Sequence, residues 1–231
     1  MIFNKKSGMQ QVNELLHLYP GLQLSSEDTG QIVITGNILV NRKAKRFFLY
    51  KEYKVKIVVP LFSDELPYIV DIGHCIDASY PHRYSDGKLC LETDTSIRIR
   101  FIEGFSLSTW VSEYVEIYFF SYEYYQRQGE FPFGDRAHGI EGIIQTYEEL
   151  FNEENALKTL QLMKSIVSQP YRGHMLCPCG SEKKFRSCHG LTVRKYYMDN
   201  RLKAIILDDY HTIKEVVQNY NKQRRNSKQT K

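Results

Sequence analysis

Apolar residues recur at helical spacing through Met9, Val12, Leu15, Leu16 and Tyr19, and Pro20-Gly21 stops the run. Ser7 with Gln10 three residues on has the form of a capping box, so the spacing predicts a helix over 8–19. After a polar turn at 25–30 the period changes. Runs at 31–40, 45–50 and 53–59 are rich in β-branched and aromatic residues, and Val55, Ile57 and Val59 alternate with Lys54 and Lys56. They read as antiparallel strands of a meander, with a fourth strand at about 68–72 introduced by Pro67. From 77 to 101 no period holds, and loops of that length usually carry function. Helical spacing resumes after Ser108, read as an N-cap, with Val111, Tyr114, Val115, Tyr118 and Phe119 on one face. A Gly- and Pro-containing segment, 129–142, separates this helix from one at about 143–167. Residues 192–206 and 211–220 are also expected to be helical, and the polar, basic 222–231 to be a disordered tail.

The 231 residues are 42% apolar and 25% charged, enough for one good core and an appendage. The 17 Tyr and 12 Phe suit pleated strands, so a mixed α+β domain is expected. No run reaches the roughly 20 apolar residues of a membrane span, and the opening MIFNKKSGMQ lacks the apolar core of a signal peptide. No membrane span and a cytoplasmic location are therefore expected. The five cysteines agree, because three crowd into 177–188 with His189 beside them, a pattern of metal binding rather than of disulfides. Cys75 stands apart and is read as a core residue. The charge is uneven: residues 1–170 hold 17 Lys and Arg against 22 Asp and Glu, the remainder 14 against 5. A basic final third suits nucleic acid, acidic lipid or an acidic protein surface. A solvated tail explains it equally well, since no aromatic and basic residues interleave in a nucleic-acid motif.

Inside the aperiodic stretch lies Tyr80-Pro81-His82-Arg83-Tyr84-Ser85-Asp86-Gly87-Lys88-Leu89-Cys90-Leu91. It resembles, without a gap, the active-site loop of ubiquitin-conjugating enzymes, which reads His-Pro-Asn, a spacer, Asp or Asn then Gly, two residues, and Cys-Leu. Val58-Val59-Pro60 followed by Pro67 is similar to the strand end and proline-rich turn before that loop, and the order of elements over about 8–165 is also the family's. The resemblance implies that Cys90 is the nucleophile that carries an acyl group as a thioester, which a thiolate can form and an amine can discharge. Tyr80 replaces the family His, and His82 falls on the Asn position. An imidazole there can donate to a tetrahedral oxyanion or deprotonate an attacking amine, and a hydrogen bond that only orders the loop is the plainer role. These departures imply a divergent, bacterial branch of the fold. Asp86-Gly87 is read as the tight turn that presents Cys90. Phe131-Pro132-Phe133-Gly134-Asp135-Arg136-Ala137-His138-Gly139 is a weaker constellation, able to fold back over the cysteine, with His138 as a further candidate. Trp110 is read as core, its indole N–H needing a partner.

Cys177-Pro178-Cys179-Gly180-Ser181-Glu182-Lys183-Lys184-Phe185-Arg186-Ser187-Cys188-His189-Gly190 resembles the SEC-C motif found on many bacterial proteins. Cys177, Cys179, Cys188 and His189 would close a tetrahedral shell around Zn²⁺ with no open position, which makes the ion structural. A redox pair in Cys-Pro-Cys would leave the third cysteine and the histidine unexplained. So short a segment lacks its own core and is expected to fold only with metal.

The expected architecture is a UBC-like four-stranded antiparallel meander flanked by helices, plus a small zinc knuckle and C-terminal helices. The boundaries fall at 1–168, 174–191, 192–221 and 222–231, with Gln169-Pro170-Tyr171-Arg172-Gly173 as the main linker. The implied activity is transfer of the C-terminus of a ubiquitin-like protein, or of a nucleotide-second-messenger (CD-NTase-like) synthase as in antiviral operons, to an amine. No Gly-rich adenylating turn is visible, so a separate activating enzyme, or none, serves it. The alternative is a protein-interaction module that keeps the fold without the chemistry, and a cysteine hydrolase is a third reading.

Overall fold

The computed structural model describes residues 2–44 and 46–229, with side chains through Gln223. The chain is α+β and forms two compact units, Met1–Glu92 with Glu103–Asp135, and Thr93–Ile102 with Arg136–Lys231. This division groups residues 136–168 with the cysteine-rich segment, whereas the sequence reading groups them with the strands. Among the described residues no helix is long and apolar enough to cross a membrane.

In the first unit α1 (Lys5–Leu18) starts earlier than its apolar period suggests. Asn4 is the N-cap: its side chain accepts from the Ser7 N–H at 2.9 Å, and Ser7 Oγ accepts from the Asn4 N–H at 3.1 Å. Ser7 thus closes the capping box from inside the helix.

Four strands, β1 (Leu22–Glu27), β2 (Gln31–Ala44), β3 (Phe47–Pro60) and β4 (Tyr68–Asp71), pair in sequence order as an antiparallel meander. Two corrections apply to the expected strands. The runs at 45–50 and 53–59 are one strand beginning at Phe47; Arg46 lies in the turn before it, and Lys45 lies outside the described residues. Lys51-Glu52 breaks the hydrophobic pattern, but Val40 and Leu39 pair opposite them and the ladder continues. The missing fourth strand is β1, which runs into the stretch 25–30 read as a turn; only its Leu22 is buried.

Ile32, Ile34, Ile38 and Val40 of β2 and Tyr53, Val55, Ile57 and Val59 of β3 are all fully buried, the period of two that a half-covered sheet requires. They form a core with α1 and with one continuous helical stretch made of α3 (Leu107–Trp110), a π turn (Val111–Val115) and α4 (Glu116–Gln128). Tyr53 stacks on Phe119 with ring centres 4.0 Å apart. Ser106, not Ser108, caps this stretch, accepting from the Thr109 N–H at 3.2 Å. Trp110 is fully buried, and its indole N–H finds no acceptor among the described residues.

Gly36 in β2 has φ +141, and a Cβ there would lie 2.1 Å from the Gly21 carbonyl oxygen. A backbone atom cannot yield as a side chain can, so Gly36→Ala is expected to cost on the order of 3 kcal/mol. A urea titration would show it as a lower midpoint at unchanged slope; an unchanged midpoint would contradict the assignment.

The second unit contains α2 (Asp94–Arg100), in a stretch that reads as aperiodic because seven residues make fewer than two turns. Thr93 caps it. The helix expected at 143–167 is two, α5 (Gly139–Phe151) and α6 (Ala156–Ser168). Asn152 takes the left-handed conformation (φ 55) that ends α5, and Asn155 caps α6 by accepting from the Lys158 N–H at 3.1 Å. Neither Gly nor Pro marks the break. A single 3₁₀ turn (Phe185–Ser187) then leads to α7 (Gly190–Met198) and α8 (Asn200–Gln229), which continues through most of the expected tail. The break falls at Asp199, whose carboxylate accepts from the Arg201 N–H at 2.8 Å. The unit's core joins Tyr147, Phe151, Leu162, Ile166 and Tyr196 to Cys177 and Cys179, so the cysteine knuckle shares the core of α5–α8.

Candidate active site and metal centre

The cysteine loop is a short hairpin added to the sheet. Gly87, with φ +85, donates its N–H to the Tyr84 carbonyl at 2.9 Å and closes the turn; Asp86 Oδ1 accepts from the Lys88 N–H at 3.0 Å. Lys88 pairs with Val70 of β4, and the Leu89 N–H donates to the Ile69 carbonyl at 3.0 Å. Arg83 pairs with Leu89, which leaves His82 opposite Cys90 at the mouth of the hairpin. There the Cys90 N–H donates to the His82 carbonyl at 2.9 Å. The same carbonyl accepts from the Tyr118 hydroxyl at 3.0 Å. Burial pushes the Tyr118 phenol far up, so it stays protonated and remains a donor. The half-buried Cys90 thiol lies within 4.8 Å of a ring nitrogen of His82.

The His82 ring is held from two sides. It lies edge-on to Phe131 at 5.1 Å, and its Nε2 is 3.0 Å from Asp135 Oδ1. His82 is 14% exposed, whereas Asp135 is 63% exposed. Tyr80, at the position of the resembled family's His, is buried and packs edge-on against Tyr118, Tyr122 and Tyr125. Residues 131–135 thus fold back onto His82. Asp135 is the member of this group that sequence reasoning did not single out; an acid in a turn-rich segment was its only signal. His138 stands in the second unit as the N-cap of α5.

Cys75 is not a core residue. It is half-buried after β4, and Ile76 takes the buried place beside it. Burial, the Asp71 charge and that of Glu123 raise its thiol, with Lys51 opposing them.

The second cluster is built from two tight turns. The Cys177 N–H donates to the Lys183 carbonyl at 2.8 Å, the Gly180 N–H to the Cys177 carbonyl at 3.1 Å, and the Cys188 N–H to the Phe185 carbonyl at 3.0 Å. Cys177, Cys179, Cys188 and His189 then bring one ligand atom each within 4.8 Å of the others. A tetrahedral shell with Zn–S bonds of about 2.3 Å separates its sulfurs by about 3.8 Å. Here the Cys179 and Cys188 sulfurs are 3.7 Å apart, and His189 Nδ1 is 3.5 Å from Cys177 Sγ and 3.3 Å from Cys188 Sγ. The residues fit zinc. Burial pushes the Cys177 thiol up to about 12. At Cys179 burial acts upward too but is outweighed by hydrogen bonds from Ser181 and Cys177, which lower that thiol to about 6.

A family model of the SEC-C motif matches residues 176–191, which include all four ligands. No curated protein and no solved structure matches the chain.

Proposed function

We propose that the first unit is a cysteine-dependent acyl transferase of the ubiquitin-conjugating type, in which Cys90 carries the C-terminus of a protein as a thioester. The supporting observation is the pairing of Cys90 with His82 across the hairpin mouth, with Asp135 Oδ1 3.0 Å from the imidazole Nε2. The sequence resemblance over 80–91 supplies the reaction type.

The Cys90 thiol gives its proton to His82, and the thiolate attacks the activated C-terminal carbonyl of a ubiquitin-like or CD-NTase-like carrier. Its activating group, installed by a separate enzyme, departs with the electron pair, and the proton held by His82 passes to that leaving group through solvent, which returns the imidazole to its neutral form. An amine then attacks the thioester. His82 takes the amine proton, the tetrahedral oxyanion collapses, and the C–S bond breaks to return the Cys90 thiolate. Asp135 orients the imidazole and stabilises its charged form. In the second unit Cys177, Cys179, Cys188 and His189 would hold zinc, which would supply a cross-link rather than a reactive water, since four protein ligands close its shell.

The test is incubation of the purified protein with candidate carriers and activating enzymes, followed by non-reducing gels and mass spectrometry. Wild type is expected to give a thiol-sensitive adduct, Cys90→Ser a thiol-resistant ester, and Cys90→Ala none. A stable carrier complex that forms equally well with Cys90→Ala, and no adduct under any condition, would move the assignment to an interaction module.

A further inference from the structure

The four metal ligands use only one nitrogen of His189. Its Nδ1 faces the thiols, and its Nε2 lies 3.3 Å from Oε2 of Glu153, a residue far from the motif in the turn between α5 and α6. That turn aims the carboxylate. With Asn152 left-handed, its N–H donates to the Glu149 carbonyl at 3.3 Å and the Glu153 N–H to the Glu148 carbonyl at 3.0 Å, the paired bonds that close a helix C-terminus. The other carboxylate oxygen accepts from the Asn155 N–H at 3.1 Å, with the Lys158 ammonium 3.9 Å away. Both side chains are nearly covered, His189 at 14% exposure and Glu153 at 11%. A carboxylate so enclosed requires donors, and the imidazole Nε2 lies within reach of it. A surface ion pair between long, free side chains would have neither the burial nor the fixed backbone at both ends.

We propose that Glu153 is the outer partner of the metal centre: it accepts the Nε2 hydrogen of His189, fixes the imidazole with Nδ1 toward the ion, and couples metal binding to the order of the α5–α6 turn. Carboxylates in this relation to a metal-bound histidine set its tautomer and raise its basicity as a ligand. Glu153 is a positioning residue, acting on the metal through His189. Nothing in the SEC-C segment itself contains it, so the knuckle is completed by a helix turn outside the motif. The inference rests on the metal cluster and is independent of the chemistry at Cys90.

The experiment is competition for zinc between the purified full chain and a chromophoric chelator. Glu153→Ala is expected to weaken zinc binding about 10- to 100-fold, while Glu153→Gln, whose amide oxygen still accepts, should stay within about threefold of wild type. Glu154→Gln, an exposed neighbour, should leave affinity unchanged. Cobalt substituted for zinc reads the site apart from the fold: a four-coordinate visible spectrum in Glu153→Ala shows the ligands still assembled. Hydrogen exchange at residues 152–155 is expected to accelerate when metal is stripped from wild type, and to be fast in Glu153→Ala with or without metal. Equal zinc affinity in Glu153→Ala and wild type would overturn the proposal, as would a turn in wild type whose exchange ignores the metal. If Glu153→Ala does not fold, Glu153→Asp decides, because a carboxylate one methylene short should still lose affinity measurably and an unchanged value would again overturn the assignment.

Discussion

Cys179→Ala is expected to abolish the cooperative folding of the whole second unit, not merely to loosen the knuckle. Structural zinc binds zinc-finger peptides with an apparent free energy of about 10–16 kcal/mol at neutral pH, comparable to the roughly 5–15 kcal/mol that stabilise an entire domain. A site of that strength cannot be lost locally when its cysteines lie in the core. Cys177 and Cys179 are each 4% exposed and belong to the same buried cluster as Phe151, Phe185 and Tyr196. Removing one thiolate opens the shell and leaves the remaining ligands and their turns without their fixed point. Hydrogen exchange of the full chain should show protection lost throughout α5 to α8 in Cys179→Ala, and in wild type on treatment with a strong chelator. Wild-type protection in those helices after complete removal of metal would mean that the apolar core alone holds the unit.

The second large effect is on chemistry. His82→Ala is expected to slow discharge of a preformed Cys90 thioester to free lysine by about 10²- to 10⁴-fold, the usual contribution of a positioned acid or base. Asp135→Asn should cost only about fivefold, since an exposed carboxylate contributes on the order of 1 kcal/mol through such a pair. Single-turnover discharge isolates this step from loading. An unchanged rate in His82→Ala would reduce His82 to an ordering residue of the loop, with its carbonyl rather than its imidazole as the functional group.

What the sequence disclosed follows from the range of the interactions involved. The cysteine loop and the knuckle are written in short spacings, so Cys90, His82 and the four metal ligands could be named from their neighbours alone. The alternating residues of β2 and β3 announced the sheet for the same reason. β1 was illegible because Gln23 to Glu27 are exposed, and its place in the sheet comes from pairing with β2. The division of α5 from α6 rests on one asparagine in a left-handed conformation, which composition does not mark. Asp135 on His82 and Glu153 on His189 join residues distant in sequence, and no local pattern encodes such pairs.

The His82 carbonyl has a consequence for how this loop tolerates motion. Because it receives the Cys90 amide and the Tyr118 hydroxyl together, the thiol and the imidazole hang from a single backbone anchor that α4 holds in place. They ride as one body, like the jaws of tweezers joined at the hinge. In the proposed reaction, displacement of the hairpin would therefore change where the pair meets a carrier far more than it would change their separation. Heating or a loosening substitution in the turn should degrade capture of the carrier first, and the transfer step only once the anchor itself lets go.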